Sequence, residues 1–305
     1  MGMKRREFLA KSVASAGGLL LGTRLLGAQE AKTGGHCEAH DPVTLGKTQI
    51  KMTRVGIGTG MRGGNRQSNH TRMGQEKFNA LIRGAYERGV RVFDAADLYG
   101  THPFLATALA GMPRKDYVLT SKIWFRRGGI PDPERPDASV VVERFLKELK
   151  TDYIDLVLLH CVTSGNWPTE LAGHMNVMEG LKKKGIIRAH GVSCHSLAAL
   201  EACVNESWVD SVHARINPYG AKMDDKPEKV VPVLQRMHGA GKGVIGMKII
   251  GEGDFRNSDE KRDESVRYVL NLGCVDAMVV GCETVEEVDD LAARVRKAPA
   301  VKTSA

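Results

Sequence analysis

A chain of 305 residues with 42% hydrophobic and 26% charged residues has ordinary globular composition, which excludes a disordered or fibrous protein and fits either one α/β barrel or two smaller domains. The net charge of +8 suggests a polyanionic partner until it is located: Lys4, Arg5, Arg6, Lys11 and Arg24 against Glu7 place half of that excess in the first 28 residues. No basic stripe interleaved with aromatics follows, so nucleic acid is not an expected partner, and six cysteines without a CxxC pair give no metal-ligand or redox-pair spacing.

Residues 1–28 read as an address. Lys4, Arg5 and Arg6 precede a mildly apolar stretch from Ser12 to Leu21, and small residues follow at Gly27 and Ala28, the grammar of a signal peptide. The stretch is too short for an ordinary membrane span, so the mature chain is expected to have no stable one. Arg5 to Lys11, RREFLAK, matches the twin-arginine export motif RRxFLxK, which implies the twin-arginine translocase as a partner and a periplasmic or otherwise extracytoplasmic location. That route carries folded proteins, so the cysteines need not form disulfides. Residues 29–42 are polar and contain Gly and His, as a linker would. His36, Cys37 and His40 lie close together there but lack a fourth ligand, and no metal is expected.

From residue 43 to residue 298, strand-like and helix-like segments alternate, and residues 299–305 form a tail. The predicted strands are 54–59, 90–94, 116–121, 154–159, 186–192, 210–215, 243–248 and 276–280, short apolar runs bounded by Gly or polar residues, as in strands buried on both faces. Between them the spacing predicts helices over 76–88, 103–110, 139–149, 171–184, 196–205, 226–240, 262–272 and 284–296. Phe78, Leu81, Ile82 and Ala85 form the apolar stripe of the first, and Val142, Phe145, Leu146 and Leu149 that of the third. Eight such pairs in strict alternation point to a single (β/α)8 TIM barrel of the α/β class. An open doubly wound sheet is the alternative, but the glycines after the first strand do not stand in the strand-turn-helix context that its dinucleotide-binding fingerprint would need.

Chemistry in such a barrel sits at the C-terminal ends of the strands. The second strand ends FDAADLYG at 93–100, the third LTSK at 119–122, and the fourth LVLLH at 156–160. A lysine closing an apolar strand is costly unless paired, and Asp94 is the natural partner of Lys122. One mouth thus gathers Asp94, Tyr99, Lys122 and His160, a set suited to carbonyl reduction. Hydride arriving at a carbonyl carbon leaves charge on the oxygen, and a proton must follow. Tyr99 is the acid, the Lys122 ammonium is expected to lower its pKa from about 10, Asp94 holds Lys122, and His160 orients the carbonyl oxygen.

These residues and spacings resemble the aldo-keto reductase superfamily. FDAADLYG is similar to its FDTAxxYG motif with Ala95 for the usual Thr or Ser, LTSK to its TSK strand, YIDLVLLHCV to its DLxLLH strand, and TLGKTQIKMTRVGIGT to its N-terminal hairpin and first strand. The resemblance implies Asp94, Tyr99, Lys122 and His160 as the catalytic tetrad, NAD or NADP as cofactor and a small aldehyde or ketone as substrate.

For the nucleotide the resemblance implies Ser193 and Cys194 in GVSCH near the carboxamide, with Cys where Asn is usual, and His213 where Gln often sits. It places Met247 at a position that often carries a stacking Tyr, then Lys248 and Gly251 in the same segment. Gly281, Cys282, Glu283 and Glu287 open the eighth helix, whose N-terminus suits phosphate. No Arg or Lys follows until Arg294, and the acidic residues are expected to disfavour a 2′-phosphate. Arg256 and Lys261, from the preceding loop, are the cations that could restore it. Two rival readings remain at this level: a non-catalytic nucleotide-binding barrel, and a lyase or isomerase that uses Lys122 for a Schiff base.

Overall fold

The computed structural model describes residues 37–130 and 137–298. The expected signal segment, the linker up to residue 36 and the tail 299–305 lie outside the described residues. β1 (Pro42–Thr44) and β2 (Lys51–Thr53) pair antiparallel, with Val43 opposite Met52. Their hairpin closes the lower end of the barrel, where Leu45, Ile50 and Met52 are buried in one cluster with Val92, Leu156, Ala189 and Ile245. The Lys47 amide donates to the Gly241 carbonyl at 2.8 Å and fixes the hairpin tip to the loop before β9. Residues 37–41, expected as linker, lie against the barrel too: Ala39 is buried and its carbonyl accepts the Val55 amide at 2.9 Å.

Eight parallel strands follow: β3 (Val55–Gly58), β4 (Val92–Asp94), β5 (Val118–Ile123), β6 (Ile154–Val162), β7 (Ile187–Cys194), β8 (Ser211–Arg215), β9 (Gly243–Met247) and β10 (Ala277–Val280). They run in sequence order round a closed barrel, β10 pairing back onto β3, which is the expected (β/α)8 TIM barrel with its N-terminal hairpin. β5, β6 and β7 extend further at their C-terminal ends than the sequence suggests. Lys122, His160 and Ser193 break the apolar pattern, yet all three are buried in the barrel mouth, so their polarity does not end the strands.

The helices are α1 (Asn69–Arg72), α2 (Gln75–Glu87), α3 (His102–Ala108), α4 (Ala138–Leu149), α5 (Trp167–Glu170), α6 (Ala172–Lys183), α7 (Leu197–Asn205), α8 (Pro227–Gly239), α9 (Asp259–Asn271) and α10 (Val285–Lys297). α1 and α5 are single turns, too short for a periodicity to announce. Four of the helices start at side-chain caps: Asp137, Ser196, Ser258 and Thr284 each accept a backbone N–H in the first turn of α4, α7, α9 and α10. The stripe of α2 puts Phe78, Leu81 and Ile82 into the layer between strands and helices, and α4 adds Val142 and Phe145. Truncating one of these phenylalanines to Ala costs about 3–5 kcal/mol on the usual scale for buried aromatics. Among the described residues no helix is long and apolar enough to cross a membrane.

Candidate active site

The C-terminal ends of β4, β5 and β6 bring the expected tetrad together. Lys122 Nζ donates to both carboxylate oxygens of Asp94, at 2.7 and 2.6 Å, and to the Ala95 carbonyl at 2.9 Å. All three ammonium protons therefore have acceptors, which is what a lysine only 1% exposed requires. Burial pulls the Lys122 ammonium below its ordinary value and pushes the Asp94 carboxyl above its own, and their mutual contact opposes both shifts.

Tyr99 closes a single 3-10 turn (Asp97–Tyr99) directly after β4, and its hydroxyl lies 3.4 Å from His160 Nε2. The two rings meet edge to face at 5.4 Å, and Trp124 packs on the other side of His160 at 5.5 Å. The Lys122 ammonium stands 4.9 Å from the centre of the Tyr99 ring. Behind the ring runs the backbone after β3: a Cβ at Gly60 would run into the Tyr99 ring, and one at Gly63 would sit 2.7 Å from it. Both glycines are there because the phenol lies flat on their backbone.

The electrostatics differ from the sequence expectation in one respect. The Tyr99 phenol is pushed well above its ordinary value, first by burial and then by the Asp94 carboxylate. The Lys122 ammonium is not among the groups that shift it; it stands beside the ring, 4.9 Å from the centre. His160 is held well below its ordinary value, mainly by burial and next by Lys122, so it is neutral near pH 7. The mouth thus holds a protonated phenol beside a neutral imidazole.

A cavity of about 360 Å³ opens beside these groups. Asp94, Tyr99, Lys122 and His213 line one end of it, Met247 and Lys248 continue it, and Gly281, Cys282 and Glu287 line the other. His213 sits next to Ser193 in the β7–β8 register, and its Nδ1 is 3.7 Å from Asp94 Oδ1. Ser193 Oγ and His213 Nε2 are both buried without a hydrogen-bond partner. Two orphaned polar atoms on paired strand residues, one of them lining the cavity, are what an amide-bearing ligand would satisfy, so the residues present fit a nicotinamide ring.

Other expected nucleotide contacts lie elsewhere. Cys194 is turned away from the cavity: its Sγ is 3.6 Å from Cys203 Sγ on α7, in the layer between strands and helices. The strand alternation explains this, since its neighbour Ser193 takes the inner face. Gly251 is buried at positive φ beneath Phe255 rather than on the cavity wall. Lys248 lines the cavity but donates to Glu252 at 2.7 Å. Glu283 accepts from Asn69 Nδ2 at 3.0 Å. Glu287 Oε2 accepts the Glu283 amide at 2.7 Å, just ahead of the Thr284 cap of α10. Both carboxylates also hold Arg256, at 3.0 and 2.6 Å. The acidic start of α10 is therefore partly neutralised, and by one of the two cations singled out in the sequence. Arg262 and Arg294 line the same end of the cavity, and both bond to Asp259 and Asp290.

The sequence gives no signal for His195 and Cys161, which stand beside His160. Cys161 Sγ is 3.5 Å from His195 Nε2, and the His195 ring is 6.3 Å from that of His160. Burial pushes the Cys161 thiol up to about 11 and pulls His195 down to about 4, so the pair is uncharged.

Residues 54–299, well over half of the chain, match the profile of the Aldo/keto reductase family. The chain belongs to that family. This member is 28% identical over 200 residues to the uncharacterized oxidoreductase YqkF of Bacillus subtilis, covering 63% of this chain and 60% of that protein. It is 28% identical over 145 residues to methylglyoxal reductase DkgB of Salmonella typhimurium, covering 46% and 52%. The chain thus spans between half and two thirds of the length of these curated relatives. Among solved structures, the aldo-keto reductase from Klebsiella pneumoniae in complex with NADPH superposes with a TM-score of 0.59 at 21% identity over 84% of this chain and 89% of that one. That likeness shows the fold.

Proposed function

We propose that this aldo-keto reductase reduces a small aldehyde or ketone, or oxidises the corresponding alcohol, with a nicotinamide nucleotide in the cavity between β9 and α10. The observation that carries the reading is the buried Lys122–Asp94 pair set against a phenol that shares a 3.4 Å contact with a neutral His160. The bound nucleotide would supply the hydride; Ser193 and His213 are the side chains free to hold its carboxamide.

The protein's own part is proton delivery and charge stabilisation. A carbonyl oxygen placed between the Tyr99 hydroxyl and His160 Nε2 accepts hydrogen bonds from both. As charge grows on that oxygen, Tyr99 gives up its proton, and the high ordinary resistance of the buried phenol to ionisation falls only then. The phenolate left behind has the Lys122 ammonium 4.9 Å from the centre of its ring, a position that Asp94 fixes. His160 stays neutral throughout and so donates without competing for the proton. In the alcohol direction the same groups run in reverse. Turnover of an aldehyde such as methylglyoxal, followed by nucleotide absorbance, tests the reading, and the Tyr99→Phe variant tests its central group.

We further infer that NADP is not strongly favoured over NAD. A 2′-phosphate at the start of α10 would have to take Arg256 from Glu283 and Glu287, and both carboxylates would repel it. Export by the twin-arginine route is the third part of the proposal, supported by RREFLAK at residues 5–11.

A further inference from the structure

The Tyr99 hydroxyl is held by little of its own. Among the described residues its one hydrogen bond is the 3.4 Å contact to His160, and Lys122 meets the ring rather than the oxygen. Proton transfer is sensitive to displacements of about 1 Å, so the phenol has to be fixed through its backbone.

What fixes it lies outside the barrel, behind the tetrad. Asp97, two residues before Tyr99 in the same 3-10 turn, is 3% exposed. Its carboxylate accepts from Arg66 Nε at 3.1 Å and from an Arg144 terminal nitrogen at 2.7 Å. The other terminal nitrogen of Arg144 donates to Glu148 at 2.9 Å. Glu148 accepts from His102 Nδ1 at 2.7 Å, and His102 Nε2 shares a 2.8 Å hydrogen bond with Ser121 Oγ. Ser121 is the strand neighbour of Lys122 on β5 and faces away from the mouth. An unbroken polar chain therefore runs from the turn that carries Tyr99 to the strand that carries Lys122.

Each link constrains the next. The planar fork of Arg144 has one nitrogen for each of two carboxylates, a geometry an ammonium cannot reproduce. Phe145 packs edge to face on the His102 ring at 4.5 Å and holds its orientation. Glu148, between His102 and Arg144, has its carboxyl lowered to about 2 by those two partners, against the effect of its burial. Gly100, at a φ of 69°, lets the turn pass the Arg66 carbonyl, where a side chain would collide with it.

We propose that the chain Arg66–Asp97–Arg144–Glu148–His102–Ser121 is a positioning device for the reaction: it sets the distance between the Tyr99 phenol and the Lys122–Asp94 pair without touching substrate or nucleotide. The proposal rests on Tyr99 being the proton donor. It assigns Arg144 as the joint, because within this chain Arg144 bonds both Asp97 on the Tyr99 side and Glu148 on the Lys122 side.

The test uses Arg144→Gln in the full-length protein, alone and combined with Tyr99→Phe. Alone, it should lower kcat about ten-fold while KM for the aldehyde and the nucleotide Kd stay within about two-fold. In the Tyr99→Phe background the same change should cost less than about two-fold, because the group it positions is gone. An equal loss in both backgrounds, or none in the first, overturns the proposal. Ser121→Ala removes the far end of the chain with a minimal change and serves if Arg144→Gln does not fold; the same pattern is expected of it. A second readout is independent of turnover. With 3-fluorotyrosine incorporated, the Tyr99 fluorine line, assigned by its loss in Tyr99→Phe, should shift or broaden in Arg144→Gln, and an unchanged line overturns the positioning role. If Tyr99→Phe retains full turnover, the proton-donor reading fails by itself, and the fluorine line still decides whether Arg144 positions the ring.

Discussion

Arg256 reaches from the loop after β9 to Glu287 on α10, closing a 2.6 Å ion pair across the far end of the cavity. The pair is half exposed, so it adds little to stability, about 0–1 kcal/mol. Its consequence is for recognition. Glu287→Gln together with Glu283→Gln should free Arg256 and raise NADP affinity about ten-fold or more relative to NAD, the scale of one charge-assisted hydrogen bond. Fluorescence titration with each nucleotide checks this. A parent protein that already binds NADP far more tightly than NAD would refute the proposed preference, and Arg256→Ala should then abolish it.

Tyr99→Phe should reduce turnover at least ~10²-fold, the range of general acid catalysis, with nucleotide affinity nearly unchanged. Lys122→Met should also reduce it and leave Asp94 buried without its partner, a change that costs about 3–5 kcal/mol of stability. Steady-state rates and thermal melts separate the two effects. Equal activity of Tyr99→Phe and parent would end the mechanism.

Stability should fall on acidification below about pH 6.5. His160 and His213 are held well below the ordinary value of 6.5 by burial, and His195 is held at about 4. The unfolded chain therefore binds protons that the folded chain refuses, so unfolding free energy decreases as pH drops from 6.5 toward 4. Each such histidine contributes up to about 1.4 kcal/mol per pH unit in that window. Urea melts at pH 7 and pH 5 measure it; a flat profile would contradict the burial of these rings.

Gly60→Ala should act on catalysis through contact alone. The added methyl collides with the Tyr99 ring. Moving the phenol by about 1 Å should cost roughly ten- to a hundred-fold in kcat. A normal kcat in a folded Gly60→Ala protein would show that the ring does not rest on this backbone.

Replacing Arg5 and Arg6 with Lys should leave the precursor inside the cell, because the export route reads the arginine pair. Fractionation of cells carrying the tagged variant checks this, and undiminished export would remove the twin-arginine reading.

The barrel was legible because its strands are buried on both faces and its helices on one, which writes two separable periods into the chain. The grouping of Asp94, Lys122 and His160 was legible for a different reason: they are polar where apolar runs end, and buried there they have to pair or face a cavity. Cys194 misled because a strand end exposes alternate residues to opposite sides, and a motif match does not say which side a substituted residue takes. Asp97, Arg144, Glu148 and His102 could not be read at all. Each looks like a solvated helix or turn residue in sequence, and only the fold brings α4 against the turn after β4. Gly60 and Gly63 carried a faint signal, a glycine-rich run after the first strand, with no hint that an aromatic ring was the reason.

The hairpin at the foot of the barrel sets the traffic. With Leu45, Ile50 and Met52 packed into that end, the described residues leave the cavity to be reached from the C-terminal side of the strands. On the proposed function, nucleotide and carbonyl compound would share that side, and whichever arrived second would stand in the way of the first. Exchange of the deeper guest would then wait on departure of the shallower one, an order of binding set by the closed foot of the barrel.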